Sequence, residues 1–136
     1  MRRELDGGLE LDDDANRVDV AAVHDFLAND AYWAEGRPRD VVARLIDEAQ
    51  RVVGVYDGER QIAFARAFTD GVSLVYLADV YVVPEYRGRG IGSELVREMV
   101  ENGPYAELRW MLHTRDAHAL YRKVGFREPT ERVMER

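Results

Sequence analysis

No cysteine occurs among the 136 residues. This rules out disulfides, thiolate metal sites and a cysteine nucleophile, and leaves the redox compartment unconstrained. Positive charge is in deficit: 19 Lys and Arg against 26 Asp and Glu leave a net charge of -7. That balance argues against a general nucleic-acid binder, which needs a basic face, and mildly favours a cationic substrate. Long apolar runs are missing as well. The opening MRRELDGGLELDDD has no apolar targeting core and no later stretch approaches a membrane span, so no membrane partner and a cytoplasmic location are expected. The three histidines, His24, His113 and His118, lack ligand spacing with carboxylates on one face, so no metal is expected. Repeats and low-complexity tracts are absent. With 46% apolar and 33% charged residues, the chain reads as one ordinary globular domain over residues 1–136.

The most informative stretch is Val80 to Ser93, VYVVPEYRGRGIGS. The β-branched run Val80–Val83 favours a strand, and Pro84, with no backbone donor, should end it. Gly88, Gly90 and Gly92 alternate with Arg89 and Ile91, so a ligand can approach the backbone without meeting a Cβ. Ile91, Leu95 and Met99, with Val96 and Val100, then follow helical spacing. A helix N-terminus offers unpaired N–H groups and partial positive charge, and Arg87 and Arg89 add guanidiniums that fork onto phosphate oxygens. The physics specifies an anion site, best matched by a diphosphate. A P-loop would need Lys and Ser/Thr after its last glycine, and here Gly92 is followed by Ser93 and Glu94; a dinucleotide fingerprint would need glycine at Ser93.

Taken in order, the chain begins polar, where a short strand around Leu9–Leu11 and a frayed end are equal expectations. A helix should run from an Asp19 cap to about Asn29 through Val20, Val23, Phe26 and Leu27. The loop Asp30–Pro38 carries Tyr32 and Trp33, which either pin it to the core or wall a substrate pocket. A second helix is expected from about Pro38 to Gln50. Strands at 51–56, 61–69 and 72–83, joined at Asp57-Gly58 and Asp70-Gly71, should form an antiparallel meander. After the 91–102 helix come a strand at 108–113, a helix at 117–124 capped by Asp116 or Thr114, and a last strand near 132–134. The order β-α-α-β-β-β-α-β-α-β implies an α/β (α+β) fold on a mixed sheet.

From Arg87 the loop reads R-G-R-G-I-G, which resembles the R/Q-x-x-G-x-G/A motif of the GNAT N-acetyltransferases. Ala117 to Phe126, A-H-A-L-Y-R-K-V-G-F, resembles the A-x-x-L-Y-x-K-x-G-F run that closes the same domain. Together the two motifs cover Leu77 to Phe126. The segments Tyr32-Trp33-x-x-Gly36-Arg37 and Thr114–Tyr121 further resemble a small bacterial subgroup of these enzymes. The resemblance implies a mostly antiparallel, twisted sheet of about six strands flanked by four helices, with a splayed parallel pair forming the cofactor cleft. It also implies acetyl-CoA as co-substrate. Gly88 to Ser93, with Arg87, would hold the pyrophosphate, and pantetheine would lie between the Leu77–Val83 and Leu108–His113 strands. Backbone N–H groups of Val80, Tyr81 and Val82 would polarise the thioester carbonyl. Tyr121 would protonate the leaving thiolate as general acid. Thr114 stands where family members often carry a cofactor-contacting Asn, and is shorter.

The base is less specified. Asp79, on the opposite strand face from Val80, would bind an ammonium or relay its proton, or is simply paired with an Arg. His118, one turn before Tyr121, would act as base, orient Tyr121, or sit idle at the surface. His113 would line the strand opening. Tyr32, Trp33, Phe64, Arg66 and Asp79 form the expected substrate pocket, suited to an aromatic or cationic amine. The leading expectation is acetyl transfer to a small primary amine by direct attack in a ternary complex. The alternatives are a protein or peptide acceptor, and an acyl-CoA-binding sensor without turnover. A homodimer is an analogy with the fold only.

Overall fold

A computed structural model describes all residues, Met1–Arg136. Six strands lie side by side in sequence order: β1 (Arg2–Leu5), β2 (Leu9–Asp12), β3 (Arg51–Asp57), β4 (Arg60–Thr69), β5 (Leu74–Val82) and β6 (Arg109–Met111). Helices α1 (Val20–Asp30) and α2 (Arg39–Glu48) precede β3, α3 (Ile91–Glu101) joins β5 to β6, and α4 (His118–Arg122) follows β6. All neighbours pair antiparallel except β5 and β6, which the α3 crossover returns in the same direction. The expected mixed sheet with four helices is therefore what forms.

Helix starts and turns follow local chemistry. Asp19 caps α1, its carboxylate accepting the Ala22 N–H at 3.1 Å. Gly58, at φ 59°, allows the tight β3–β4 turn. At the next turn the Asp70 carboxylate accepts the Val72 and Ser73 N–H groups, both at 2.8 Å. That local capping delays β5 to Leu74, two residues after the expected start.

Each face of the sheet has its own core. On one, Leu11, Val53, Val55, Ala65 and Leu77 pack against Leu95, Val96 and Met99 of α3. On the other, Val52, Phe64 and Tyr81 meet Val23, Phe26 and Leu27 of α1 and Val42 and Ile46 of α2. The C-terminal part of α3 is also tied to the sheet by charge. Glu98, 1% exposed, accepts from Asn102 Nδ2 at 2.7 Å and pairs with Arg3 at 3.4 Å and Arg51 at 3.7 Å.

One irregularity places everything that follows. Phe64 pairs with Tyr81 and Arg66 with Ala78, so two residues of β4 span three of β5. The extra residue makes a bulge at Asp79, whose φ of 53° is left-handed. Before the bulge Val75 and Leu77 face α3; after it Tyr81 faces α1. The bulge inverts the strand's two faces. β5 pairs with β6 only over Leu74–Tyr76 and Arg109–Met111, and beyond that the two strands part.

The ends depart from expectation. β1, read as frayed polar chain, pairs with β2 from Arg2↔Asp12 to Leu5↔Leu9. The last strand near 132–134 does not form, and residues 127–136 have no regular structure. Six of those ten residues are charged, Pro129 lacks a donor, and Val133 and Met134 are adjacent, so a strand would bury only one of them.

Asp79→Ala should destabilise the fold by about 3–5 kcal/mol, because it leaves the buried Arg66 guanidinium beside the half-buried Arg37 with no counter-charge. Asp79→Gly loses the same carboxylate but tolerates positive φ, so it should be less damaging by about 1 kcal/mol. Chemical denaturation of both variants measures the difference; equal losses would mean that the left-handed backbone carries no strain.

Candidate active site

The splay between β5 and β6 makes a gap, and three segments converge on it. At one end lies the glycine loop. Gly88 and Gly90 stand at φ 79° and 78°, where a Cβ would meet nothing within 4 Å, so both glycines are kept by backbone shape and not by crowding. Gly90 is the N-cap of α3 and supplies no side-chain cap. The first helical bond runs from the Glu94 N–H to the Gly90 carbonyl at 3.1 Å. The N–H groups of Ile91, Gly92 and Ser93 thus have no helical acceptor and form a cradle for an anion. Arg87 donates Nε–H to the Val82 carbonyl at 3.0 Å, leaving its two amino groups free, while Arg89 lies 5.0 Å above the Tyr86 ring. This loop fits a diphosphate in both charge and shape.

Along the gap runs the edge of β5. The Val83 N–H donates to Ile62 of β4 at 2.9 Å. Strand alternation turns the Tyr81 N–H the same way and those of Val80 and Val82 into the gap. Of the three donors expected to polarise a carbonyl, Val80 and Val82 are therefore placed to do so. Tyr81 is not: its N–H is on the β4 side, and its ring is buried, stacked on Phe26 at 3.9 Å. Phe64 is likewise corrected from pocket to core, being 0% exposed between Tyr81 and the helices.

The far end belongs to β6 and α4. Thr114 accepts the Ala117 N–H at 3.0 Å, so its hydroxyl oxygen shapes the turn into α4. Leu120 reaches α3, its Cδ2 lying 3.5 Å from where a Cβ on Gly92 would stand, which docks α4 against the glycine loop. Tyr121 follows. It is buried, packs edge-on to Phe126, and burial pushes its phenol up to about 12, with Tyr32 and Asp116 acting in the same direction. A phenol so perturbed stays protonated at neutral pH, the state that a proton donor requires. His118 is exposed on α4 and makes no hydrogen bond to Tyr121. His113 is bonded to the Tyr76 hydroxyl through Nδ1, and through Nε2 to Glu135 at 2.8 Å.

Asp79 is the centre of the opposite wall. Its Oδ1 accepts Trp33 Nε1–H at 2.8 Å; its Oδ2 accepts Arg37 Nη1–H at 2.9 Å and Arg66 Nε–H at 2.6 Å. Its side chain is 3% exposed. A carboxylate so engaged is not free to take a proton from a substrate, and the expectation of Asp79 as base gives way to a positioning role. The Tyr32 hydroxyl accepts the Arg115 N–H at 2.8 Å, with the Arg115 guanidinium 3.8 Å above the Tyr32 ring. The polar tips of Tyr32 and Trp33 therefore pin the loop, while both residues stay 41% exposed. Arg37 was missed as a site residue; its nearness to Tyr32 and Trp33 in sequence was the available signal.

A cavity of about 580 Å³ also lies between β6, α4 and the C-terminal tail, touching His113, Thr114, His118 and Tyr121. No residue of the glycine loop or of β5 lines it.

Comparison with known proteins agrees with this geometry. Residues 48–128 match the model of the acetyltransferase (GNAT) domain. A crystal structure from Xanthomonas campestris pv. campestris, described as belonging to the GNAT family, superposes with a TM-score of 0.88 at 36% identity, covering 94% of this chain and 92% of that one. The peptidyl-lysine N-acetyltransferase YjaB of Salmonella typhimurium is 30% identical over 82% of this chain and 71% of its own length. The thialysine N-epsilon-acetyltransferase of Sus scrofa is 38% identical over 65 residues, and there the chain spans 36% of the relative's length; for an acetyltransferase-like protein of Gibberella zeae the share is 42%. A Clostridium acetobutylicum protein solved with acetyl-CoA shares the fold, with a TM-score of 0.73 at 16% identity. With over half its length matched by the domain model, and a relative covered across more than two thirds, the chain belongs to the GNAT family of acetyltransferases.

Proposed function

We propose that this protein transfers the acetyl group of acetyl-CoA to a primary amine by direct attack, with both substrates bound at once. The observation that carries the reading is the gap between β5 and β6, with the uncapped N-terminus of α3 at its mouth and α4, which bears the buried Tyr121, docked against that loop through Leu120. Acetyl-CoA supplies an activated thioester and a thiolate leaving group.

The chain's residues have separable tasks. The N–H groups of Ile91, Gly92 and Ser93, with the free amino groups of Arg87, hold the pyrophosphate. The gap-facing N–H groups of Val80 and Val82 stand where negative charge grows on the carbonyl oxygen, and fixed donors in a desolvated site stabilise that charge. Tyr121 Oη–H gives its proton to the thiolate as the carbon–sulfur bond breaks. Trp33 and Tyr32 shield the reacting centre from solvent on the acceptor side. An amine acceptor is supported by the relatives, whose names give lysine side chains and thialysine as acceptors, both primary amines.

Three outcomes test this. Acetyl-CoA at about 100 times its dissociation constant should stabilise the protein by about 2.7 kcal/mol, raising Tm on the order of 10 °C, with no such rise for ATP or NAD. Absence of that shift would remove the loop from the site. Tyr121→Phe should lower kcat by roughly 10² or more while keeping the acetyl-CoA shift, read in steady-state kinetics with an amine panel. Unchanged turnover would end the acid assignment, and a wild type that binds acetyl-CoA yet acetylates no amine would favour a sensor. Because burial raises the phenol to about 12, the pH–rate profile should show no fall from loss of the Tyr121 proton between pH 7 and 10.

A further inference from the structure

The acceptor wall carries more positive charge than its own carboxylate balances. Asp79 alone faces two guanidiniums, Arg37 and Arg66. Arg66 uses only Nε on Asp79; its side chain is 10% exposed, and neither of its terminal amino groups has a hydrogen-bond partner in the chain. Arg37 uses only Nη1 and is 21% exposed. The other nearby carboxylates are engaged elsewhere and exposed: Glu135 on His113 at 2.8 Å, and Asp116 beside Arg115 at 4.0 Å. The planar pair of donors on Arg66 is left without a partner in the chain, at the accessible edge of an otherwise buried side chain.

Such a group is costly unless something of opposite charge meets it, and a carboxylate matches its forked donors two to two. The surroundings fix where that partner would sit. Arg66 is opposite Ala78, and the next pair along the same face is Phe68 with Tyr76, whose rings stack at 5.1 Å. The Arg66 guanidinium lies 5.7 Å from the Phe68 ring. Trp33, bonded to the same Asp79, closes the other side. The Arg66 guanidinium thus lies between the Phe68 ring and the Asp79 carboxylate that Trp33 also meets, on the α1–α2 side of the bulge.

We propose that the acceptor of this enzyme is a small molecule bearing a free carboxylate as well as its amine, an amino-acid-type substrate, and that Arg66 with Arg37 receives the carboxylate. The inference rests on the transferase reading and names its substrate class. It replaces the expectation of a purely cationic amine, because two guanidiniums repel an ammonium that brings no anion with it. The amine end would then reach past Trp33 toward the gap, while the hydrocarbon between the two groups lies against Phe68 and Tyr76.

Matched series decide it: lysine, thialysine and phenylalanine, each beside its methyl ester and its decarboxylated amine, at saturating acetyl-CoA. At least one free amino acid should show kcat/KM tenfold or more above its ester and amine, mostly through KM. Arg66→Met and Arg37→Met should bring that ratio close to one while the acetyl-CoA thermal shift is retained. Esters or decarboxylated amines accepted as well as the free acids would overturn the proposal. So would a ratio that survives both substitutions, or an enzyme that binds acetyl-CoA and acetylates none of the carboxylates. Loss of the acetyl-CoA shift in the wild type would instead strike at the transferase reading itself. If Arg66→Met fails to fold, the wild-type ratios and Arg37→Met carry the test.

Discussion

The ion pair of Asp79 with Arg66 is the contact on which the site's geometry depends. A non-glycine residue at φ 53° is strained by about 1–3 kcal/mol, and it persists only where its surroundings hold it. Here Arg66 of β4 holds the carboxylate from beneath, and Arg37 and Trp33 of the α1–α2 loop hold it from the side. The same oxygens therefore fix the bulge and fasten the loop to the sheet. The bulge sends Tyr81 into the α1 core, and β5 leaves β6 just before it. A gap, a wall and a loop follow from one carboxylate.

That arrangement separates two kinds of chemistry on either side of β5. Toward α3 and α4 the backbone N–H groups and the glycine loop present positive partial charge to a phosphate and to a developing oxyanion. Toward α1 and α2 the guanidiniums present full charge to the acceptor. Asp79 satisfies three donors and so positions this wall. For the acceptor proposed above, positive charge beside the ammonium would disfavour its charged form, with the energy supplied by binding the anionic end.

Much of this was legible in the residues. Gly88, Gly90 and the helical spacing from Ile91 located the loop, because local backbone rules are reported directly by adjacent residues, whereas Tyr121 was picked out only by the resemblance of the run ending at Gly125-Phe126 to the GNAT pattern. The meander was equally plain from Asp57-Gly58 and Asp70-Gly71. The side-chain directions after the bulge were not. Alternation counted along 72–83 assigns each residue a face, and a single inserted residue reverses every assignment beyond it, which sends the Tyr81 ring into the α1 core; Tyr81 entered the expected site only through its backbone N–H, which alternation turns toward β4. Phe64 failed for a related reason: strand position alone does not say which face α1 covers. β1 was hidden because four largely polar residues carry no periodic signal, and its pairing with β2 is a tertiary event.

The two tyrosines near the gap illustrate why position in the fold outranks residue type. Tyr76 and Tyr121 are both pushed up by burial, and either would look like an acid from its phenol alone. Tyr76 is bonded to His113, which is bonded in turn to Glu135, so its hydroxyl already belongs to a chain of partners at the acceptor wall. Tyr121 has no such partner and sits where α4 meets the glycine loop through Leu120 and Gly92. A proton donor must keep its proton until a stronger base arrives and must have no competing acceptor of its own. Of the two, Tyr121 is the one that fits the proposed donor, and the five residues of α4 give just one turn, enough to carry Leu120 onto α3 beside it.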